Sequence, residues 1–371
     1  MTDRTSSLQA ALAQSDLDAL LLAAPANVAY VSGFHANPHE RLIALVVPRE
    51  GGLRLVCPSL EEEAARAAVD GGAELFVWRD EEGPAGALAA ALAGAGPRIG
   101  IEKRYLSVAN GELVSAAAPG ASLAGCDDLI ARLRAVKAAD EVDALQRAAA
   151  VVDRVVAQVA EAAVPGVTEA ELAARCALWL RAAGGDALPF DPLVLAGPRS
   201  ALPHGHSGPR PLAEGDLLIV DIGVVVDGYC ADITRTFVVA AEPDGRQREV
   251  FETVRRAQAA GVEAVRAGAP AREVDEAARR VIADAGYGPN FVHRTGHGLG
   301  LEVHEPPYLT ATSDQPLQAG NVVTVEPGIY VEGWGGVRIE DDLVVREGGA
   351  DVLTRAPIGL AATGRAVEGA A

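Results

Sequence analysis

The stretch IVDIGVVVDGYCADITRTF, residues 219–237, predicts a β-hairpin that carries acids inside its strands. Two apolar, β-branched runs flank Asp227-Gly228, a dipeptide that suits a two-residue hairpin turn because both positions accept positive φ. A carboxylate in a buried strand is costly unless a cation pairs with it. Asp221 and Asp232 therefore raise the question of which cation they bind.

The turn sets the register of this hairpin. With Asp227 and Gly228 as the turn, Asp221 lies opposite Thr234, and alternation places Asp232 on the same face. The two acids become diagonal neighbours about 7 to 8 Å apart, within bridging reach of one small ion. Without such an ion their like charges would repel strongly. On this stretch alone, the alternative is a pair of solvent-facing acids on an exposed hairpin.

Length and composition favour a two-domain globular protein. The chain has 371 residues, of which 49% are hydrophobic and 22% charged, and this length exceeds the usual single domain. Its net charge of -19 is spread along the chain, which argues against nucleic acid and anionic membrane as partners. The N-terminus does not resemble a secretory signal, and no apolar segment reaches the roughly 18 residues of a membrane span. Four cysteines without a CxxC pair argue against a disulfide framework or a thiolate zinc site, so we expect a cytoplasmic protein.

The pattern of the chain changes near residue 127. Residues 1–126 alternate short apolar runs with helical patterns, which predicts an α/β domain. Its expected strands are DALLLA, LIALVV, LRLVC, ELFVW and RIGIE, and one polar loop, GFHANPHER, groups His35, His39, Glu40 and Arg41. Residues 127–371 begin with long amphipathic helices, and we predict a second domain there.

The second domain contains an internal repeat. LAEGDLLIVDIG, residues 212–223, aligns with LQAGNVVTVEPG, residues 317–328, at a constant offset of 105 residues. Each copy follows two helices and an irregular stretch rich in His and Gly, and each begins a hairpin. Asp221 aligns with Glu326, so the second hairpin also carries an acid.

The second hairpin is predicted from YVEGWGGVRIEDD. With residues 332–336 as the loop, Val331 faces Val337 and Glu340 faces Gly328, which puts Glu340 and Glu326 on one face. Two related halves packed about a pseudo-twofold axis would bring four carboxylates into one cleft. Two divalent cations would neutralise their roughly four negative charges.

Histidines cluster upstream of both hairpins. Five of the seven lie in LPHGHSG and HRTGHGLGLEVHE, although a lone histidine is more often structural. A site of four carboxylates and an imidazole favours Mn²⁺, Co²⁺ or Zn²⁺ over thiophilic ions. Paired metals about 3.5 to 4 Å apart suit hydrolysis because they acidify a shared water and polarise the attacked carbonyl.

These motifs resemble a known family. VDIG, ADITRT, HRTGHGLGLEVHE, TVEPGIY and VRIEDD, together with LPHG, are similar to the metallopeptidases that include aminopeptidase P, prolidase, creatinase and methionine aminopeptidase. The resemblance covers about residues 130–355 and implies the α+β pita-bread fold. The first domain resembles, more weakly, the smaller α/β domain of creatinase and prolidase.

The resemblance implies roles for particular residues. The implied metal ligands are Asp221, Asp232, His297, Glu326 and Glu340, holding two divalent ions, with Mn²⁺ preferred and Co²⁺ or Zn²⁺ as alternatives. Glu326 would also carry the proton of the bridging water, and His204 and His304 complete the implied catalytic set. The implied substrate-binding residues are His204, His293, His304, Tyr330 and Arg338.

The resemblance also implies a small proline-containing peptide as substrate and a homodimer. The first hypothesis is an Xaa-Pro dipeptidase, whose pocket closes after proline and binds the terminal carboxylate through Arg338, or through Arg41 or His39 of a partner subunit. The second hypothesis is an aminopeptidase P that acts on longer peptides. The third is a pita-bread module that binds peptides without catalysis, which the complete ligand set disfavours.

Overall fold

The computed structural model describes residues 2–364. The chain separates into two compact units that divide between Arg134 and Ala135. The boundary predicted from the sequence, 126/127, lies at the start of a helix, Asp127–Ala135, and the units divide at the end of that helix. Within the described part of the chain, no helix combines the length and apolar character needed to cross a bilayer.

The first unit is built on a six-stranded mixed sheet. Its strands are Ala19–Leu22 (β1), Ala44–Pro48 (β2), Leu53–Pro58 (β3), Ala73–Trp78 (β4), Arg98–Ile101 (β5) and Ser122–Gly125 (β6). They lie in the order β4-β3-β2-β1-β5-β6, with β1 antiparallel to β2 and parallel to β5. The five predicted strands are confirmed, and the sixth was missed because SLAG is short and weakly apolar.

Helices cover this sheet. They are Thr2–Ala13 (α1), Pro25–Ser32 (α2), Glu62–Val69 (α3), Ala85–Leu92 (α4), Val108–Ala117 (α5) and Asp127–Ala135 (α6). Leu88 and Leu92 of α4 and Val114 of α5 are buried against Val46 and Ile99 of the sheet in one apolar core. The unit therefore has its own hydrophobic core, as an α/β domain requires.

The second unit repeats one arrangement of two helices followed by paired strands. The first half has Ala139–Ala162 (α7), Glu169–Ala182 (α8), Leu193–Ala196 (β7), Leu217–Val226 (β8) and Tyr229–Val238 (β9). The second half has Gly245–Ala264 (α9), Ala271–Asp284 (α10), Gly296–Gly298 (β10), Glu305–Leu309 (β11), Val322–Val325 (β12), Gly328–Val331 (β13), Gly335–Arg338 (β14), Asp341–Arg346 (β15) and Gly349–Val352 (β16). Short 3-10 helices span Ser59–Glu61, Gly197–Ala201 and Gly288–Asn290. The internal repeat of the sequence is thus a structural repeat.

The first hairpin has the predicted register. Asp221 pairs with Thr234 along a ladder that runs from Leu217–Val238 to Val226–Tyr229. Asp227 and Gly228 form the turn with φ of 51° and 82°, as a turn with two positive φ values requires. Ile222 and Ile233 are buried in the core that α7 covers, so alternation turns Asp221 and Asp232 to the other face.

The second hairpin differs from its predicted register by two residues. Val331 pairs with Gly335 and Gly328 with Arg338, so the loop is residues 332–334, and the predictions that Val331 faces Val337 and that Glu340 faces Gly328 are wrong. The tighter loop forms because Gly333 and Gly335 take φ of 75° and 156°, which other residues rarely adopt. A shift of two keeps every side chain on its predicted face.

The ladder of this second hairpin is interrupted at its acids. The same register continues where Val325 pairs with Asp341, so Glu340 falls opposite Glu326. Proline at 327 has no N–H to donate there. The Glu326 N–H donates instead to Thr295 O at 2.8 Å, and the Glu340 N–H donates to Thr234 O at 3.2 Å. These bonds place both glutamates where separate strands meet.

Candidate metal centre

Three buried side chains from separate elements form the centre of the site. Asp232 lies on β9, His297 lies on β10, and Glu340 directly precedes β15. One ligand atom of each lies within 4.8 Å of the other two, and the residues are 5%, 2% and 1% exposed. Two carboxylate oxygens and an imidazole nitrogen at such separations can converge on one cation.

The other two predicted ligands border this group. Glu326 Oε1 lies 3.4 Å from His297 Nε2. The Asp221 carboxylate contacts Arg338 Nη2, and its negative charge contributes to the raised pKa values of Asp232 and Glu326. The structure therefore brings all five residues to one site, and their binding of metal remains a prediction.

Burial and mutual repulsion oppose ionisation of these acids. Burial is the largest cause that raises the pKa of Asp232 and the pKa of Glu340 well above their ordinary values, and neighbouring carboxylates add to both shifts. Burial also raises the pKa of Glu326 to about 7, although the positive charge of Arg338 opposes the shift. The acids cannot all be ionised near neutral pH without additional positive charge among them.

Unsatisfied oxygens show that the site fits a cation. Within residues 2–364, the buried side-chain atoms without a hydrogen-bond partner are Asp221 Oδ1, Asp232 Oδ1 and Asp342 Oδ1. Such atoms are rare because most buried polar atoms are paired. Two of the three belong to predicted ligands. A donor set of carboxylate oxygens with one imidazole nitrogen suits divalent ions such as Mn²⁺.

His297 presents a free nitrogen lone pair to this set. Its Nδ1 lies 3.1 Å from Gly298 O, and a carbonyl only accepts, so Nδ1 carries the proton and Nε2 does not. Burial lowers the pKa of His297 to about 3, so the ring is neutral at pH 7. A neutral imidazole with its second nitrogen held by a carbonyl is the form that binds metals.

Two threonines hold the acids in place. Thr234 Oγ1 donates to Glu340 Oε2 at 2.7 Å and accepts from Arg338 Nε at 3.0 Å. Thr324 Oγ1 accepts from the His297 N–H at 3.1 Å and lies 3.5 Å from Glu326 Oε1. Each threonine thus supports a predicted ligand through its hydroxyl.

A buried polar cluster behind the centre was missed in the sequence. Asp342 Oδ2 accepts from the Asp232 N–H at 3.0 Å. Asp341 Oδ1 accepts from Arg235 Nη2 at 2.7 Å, and the same guanidinium donates to the backbone oxygen of Glu340. The doubled acid after Glu340 in VRIEDD was the available signal, because two adjacent acids in a buried strand each need a partner.

Glycines of β10 are required by packing. A Cβ at Gly296 would lie 2.0 Å from Thr324 O, and one at Gly298 would lie 2.5 Å from Pro306 O. The neighbouring strands therefore approach the β10 backbone too closely for any side chain at these two positions. Protein backbone thus approaches closely on either side of His297.

His293, Tyr330 and Arg338 form a directed hydrogen-bond chain. His293 Nδ1 donates to Arg294 O at 2.8 Å, which leaves Nε2 to accept from Tyr330 OH at 2.9 Å. Tyr330 OH accepts in turn from Arg338 Nη1 at 2.8 Å. Burial lowers the pKa of His293 to about 4 and raises the pKa of Tyr330 to about 12. The imidazole is therefore neutral and the phenol protonated at pH 7.

The remaining histidines lie on the exposed side of the site. The His304 ring is exposed and packs edge-on against His297, with ring centroids 4.2 Å apart. His204 is exposed, and its charge contributes to the lowered pKa values of His293 and His304. Of these two predicted substrate-facing histidines, His304 directly contacts a predicted metal ligand.

Arg294 is a cation that the sequence motifs did not single out. Its guanidinium lies over the Tyr308 ring, 4.6 Å from the centroid, and its charge lowers the pKa of His297, His304 and Glu326. Across residues 2–364 it forms no ion pair. A cation without a carboxylate partner beside an acidic site is available to a substrate anion.

The polar loop of the first unit contains two exposed histidines and an arginine that is already paired. His35 and His39 are exposed. Arg41 donates from Nε and Nη2 to Asp80 at 2.9 and 2.8 Å and from Nη1 to Glu40 at 2.7 Å. The charge of Arg41 is therefore already balanced within its own unit.

Comparison with known proteins identifies the family that this chain matches. Residues 143–347 match the model of metallopeptidase family M24, and residues 4–136 match that of the creatinase/prolidase N-terminal domain. An uncharacterised peptidase of Staphylococcus aureus is 36% identical over 91% of this chain and 94% of its own. A prolidase from Thermococcus sibiricus is 35% identical with a TM-score of 0.92, covering 97% and 98% of the two chains. An X-Pro aminopeptidase from Thermotoga maritima is 31% identical with a TM-score of 0.88, covering 97% and 99%.

Proposed function

Because the chain belongs to metallopeptidase family M24, we propose that it is a metal-dependent Xaa-Pro dipeptidase. Its second unit has the duplicated helix-helix-hairpin architecture of the pita-bread fold, and its first unit is the smaller α/β domain of creatinase and prolidase. The observation that carries the proposal is the buried group of Asp232, His297 and Glu340, with unpaired oxygens of Asp232 and Asp221 beside it.

We assign five ligands to two divalent metal ions. Asp221, Asp232, His297, Glu326 and Glu340 would hold them, with Mn²⁺ preferred and Co²⁺ or Zn²⁺ as alternatives. When bound, a metal pair lowers the pKa of a shared water and polarises the scissile carbonyl. The four carboxylates supply the negative charge that two divalent ions balance.

Glu326 is the proposed proton carrier. In the protein without metal, burial raises the pKa of its carboxyl group to about 7, so this carboxylate has a higher proton affinity than an exposed glutamate. It is held by the Glu326 N–H bond to Thr295 O and lies beside Thr324 Oγ1. His204 and His304, on the exposed side, are assigned to contact the substrate around its scissile carbonyl.

Recognition of proline is assigned to an aromatic wall. A peptide bond before proline has no N–H, so the enzyme must recognise the ring by shape. Phe291 and His293 have ring centroids 5.1 Å apart, and His293 and Tyr330 have centroids 5.4 Å apart. His293, the least buried of the three rings, is assigned to contact the pyrrolidine, and the buried Phe291 and Tyr330 pack against it. The neutral state of His293 supports this role, because no charge on its ring loses water when the apolar proline ring binds.

The choice of dipeptides over longer peptides requires a cation for the substrate's terminal carboxylate. Arg338 is buried, and its three nitrogens already donate to Thr234, Tyr330 and Asp221. Its proposed contribution to substrate binding therefore acts through Tyr330. We assign the carboxylate to Arg294, which has no ion pair within residues 2–364. Contributions from His39 or Arg41 of a partner subunit remain predictions.

The test compares a dipeptide with longer peptides. The purified protein loaded with Mn²⁺ is expected to hydrolyse Ala-Pro with a much higher kcat/KM than Ala-Pro-Ala, and to leave Ala-Ala intact. Arg294→Leu should raise KM for Ala-Pro more than it changes kcat, because the lost contact is to a part of the substrate that does not react. If the metal-loaded enzyme cleaves none of these peptides, the proposal is wrong.

The alternative activity is that of an Xaa-Pro aminopeptidase. The likeness to the X-Pro aminopeptidase of Thermotoga maritima supports it, since it covers 97% of this chain and 99% of that chain at 31% identity. Rapid turnover of Ala-Pro-Ala with no turnover of Ala-Pro would favour this alternative. A module that binds peptides without catalysis is disfavoured because the sequence keeps all five predicted ligand residues.

A homodimer and a cytoplasmic location are also part of the proposal. The four cysteines are free and buried thiols, which agrees with a reducing compartment. Sedimentation at several protein concentrations would test the dimer, and a single monomeric species throughout would contradict it.

A further inference from the structure

A buried ion pair lies beside the loop that carries His304. Lys137 Nζ lies 2.7 Å from Glu305 Oε1, and the two side chains are 1% and 4% exposed. Lys137 is itself held through its N–H, which donates to Gly320 O at 2.8 Å. Buried charges of this kind persist only when they are paired, because unpaired they would be very costly to desolvate.

Composition marks Lys137 as a constrained position. Lysine occurs twice in the chain, at Lys103 and Lys137, among 32 basic residues, so arginine is the default cation here. Lys103 is exposed. Around the ion pair, a Cβ at Gly300 would lie 2.8 Å from Glu305 Oε1 and 3.0 Å from Lys137 Cε. Glycine at position 300 therefore allows the loop backbone to pack directly against both members of the ion pair.

The pair fixes one end of a short loop. Residues 299–304 connect β10 to β11, and Glu305 is the first residue of β11, paired with Gly298. At the other end, Gly300 O accepts from the Cys230 N–H at 2.7 Å. His304 lies between these two anchors and directly precedes Glu305. Its ring packs against the His297 ring.

We propose that the Lys137–Glu305 ion pair is a positioning device that fixes His304 at the substrate side of the site. The inference rests on the proposed function to the extent that His304 contacts the substrate. Lys137 and Glu305 act through the backbone of the loop and touch neither substrate nor reacting atoms. Loss of the pair frees the C-terminal end of the loop and leaves the metal ligands in place.

The test neutralises the pair and compares two backgrounds. The variant Lys137→Met/Glu305→Gln removes both charges together, which avoids an uncompensated buried charge. We expect kcat/KM on Ala-Pro to fall by about tenfold or more in the otherwise unchanged enzyme, because small misplacement of a catalytic group is costly. In a His304→Ala background the same double substitution should cause no further fall. Lys103→Met, at the other lysine, is the matched control and should leave kcat/KM unchanged.

Two further measurements separate positioning from general damage. Bound metal, measured by mass spectrometry, should equal that of the unchanged enzyme. Hydrogen exchange should be faster in residues 299–309 and unchanged in the first unit. If the double variant does not fold, Glu305→Asp replaces it in every measurement, because the shorter side chain keeps both charges and withdraws the carboxylate from Lys137 Nζ.

The outcomes distinguish the inference from the proposed function. An equal loss of kcat/KM in both backgrounds, a loss of metal, or unchanged exchange over residues 299–309 would overturn the positioning role. If the unchanged enzyme cleaves no Xaa-Pro peptide, the proposed function fails. Exchange over residues 299–309 then still decides whether the pair holds the loop.

Discussion

At the scale of single residues, the site is defined by an electrostatic cost. Asp232 is buried, and its Oδ1 has no hydrogen-bond partner among the described residues. Burial raises its pKa most, and the nearby carboxylates of Glu340, Asp221, Asp342 and Glu326 raise it further. Proteins rarely keep such a group unless a cation compensates it. The acids thus identify the kind of ligand even before the family is considered.

Replacing Asp232 tests this directly. Asp232→Asn removes the negative charge at nearly constant volume, so we expect the centre to lose metal. We also expect kcat/KM to fall by more than about 100-fold, which exceeds the usual effect of replacing a residue that only hydrogen-bonds a metal ligand. Mass spectrometry of the loaded protein and hydrolysis of Ala-Pro provide the two measurements. Asp143→Asn, at an exposed position on α7, is the control. Full activity of Asp232→Asn would contradict the ligand assignment.

Thr234 offers a finer test with its own matched control. Thr234→Val removes the bonds from Oγ1 to Glu340 and to Arg338 while keeping the side-chain shape. We expect metal affinity to fall about 10- to 100-fold, as for other partners of metal ligands. Thr236→Val, also buried on β9, breaks only bonds to the Arg338 backbone.

Both valine variants should lose about 1 to 3 kcal/mol of stability, because each leaves buried partners unsatisfied. Only Thr234→Val should weaken metal binding in calorimetric titration. Equal affinities in the two variants would show that Thr234 contributes packing alone.

Sequence reasoning found the residues that carry charge in unusual places and missed those that support them. Asp221, Asp232 and Glu326 were recognisable because acids interrupt apolar strands. Thr324 gave no comparable signal, and the doubled acid that includes Asp342 did not indicate which group it would meet. Their importance depends on which backbone N–H or carboxylate they meet, and those partners come from distant strands that only the folded chain brings together.

At the scale of elements, the two hairpins show why register is predictable in one case and not in the other. Asp227-Gly228 selects a single turn, and the first ladder follows from it. The stretch 332–336 contains Gly333, Gly335 and Gly336, so several turns are compatible with the sequence. Only the count of loop residues was wrong, and the face of each side chain was retained.

Strand β10 gives an element-scale prediction. Gly296→Ala places a Cβ against Thr324 O, which belongs to backbone and cannot rotate away. We expect a loss of about 3 kcal/mol or more in the free energy of unfolding, as for severe overpacking, and weaker metal binding because His297 moves with the strand. The measurement is urea unfolding together with metal titration.

A second glycine provides the contrast. Gly111 lies inside helix α5, and a Cβ there would meet nothing within 4 Å. Gly111→Ala should therefore stabilise the protein by about 0.5 to 1 kcal/mol, because alanine is the better helix former. Unfolding free energies that change equally in the two variants would contradict the packing argument for β10.

At the scale of the whole molecule, the chain forms two units with separate hydrophobic cores. The first unit buries its own apolar cluster around β1 and α4, while the acids of the candidate metal centre all belong to the second unit. Any thermodynamic effect of the metal must therefore originate in residues after Arg134. This separation makes the response to metal a property that can be assigned to one unit.

Metal and pH should act together on the stability of the second unit. A carboxyl group whose pKa is higher in the folded state holds its proton more tightly when folded. Without metal, stability is therefore greatest below the unfolded pKa and falls as pH rises through the folded pKa, which for Glu326 is about 7. Metal must displace these protons, so its affinity should increase with pH.

Added Mn²⁺ at about 100 times its Kd should stabilise the second unit by about 2.7 kcal/mol. For the same concentration of ion, this gain in stability should be smaller at about pH 6 than at about pH 8. Calorimetry with Mn²⁺ or with a chelator provides the measurement, and Asp232→Asn should reduce the response. A stabilisation by metal that is independent of pH would show that the raised pKa values of the buried acids do not govern binding.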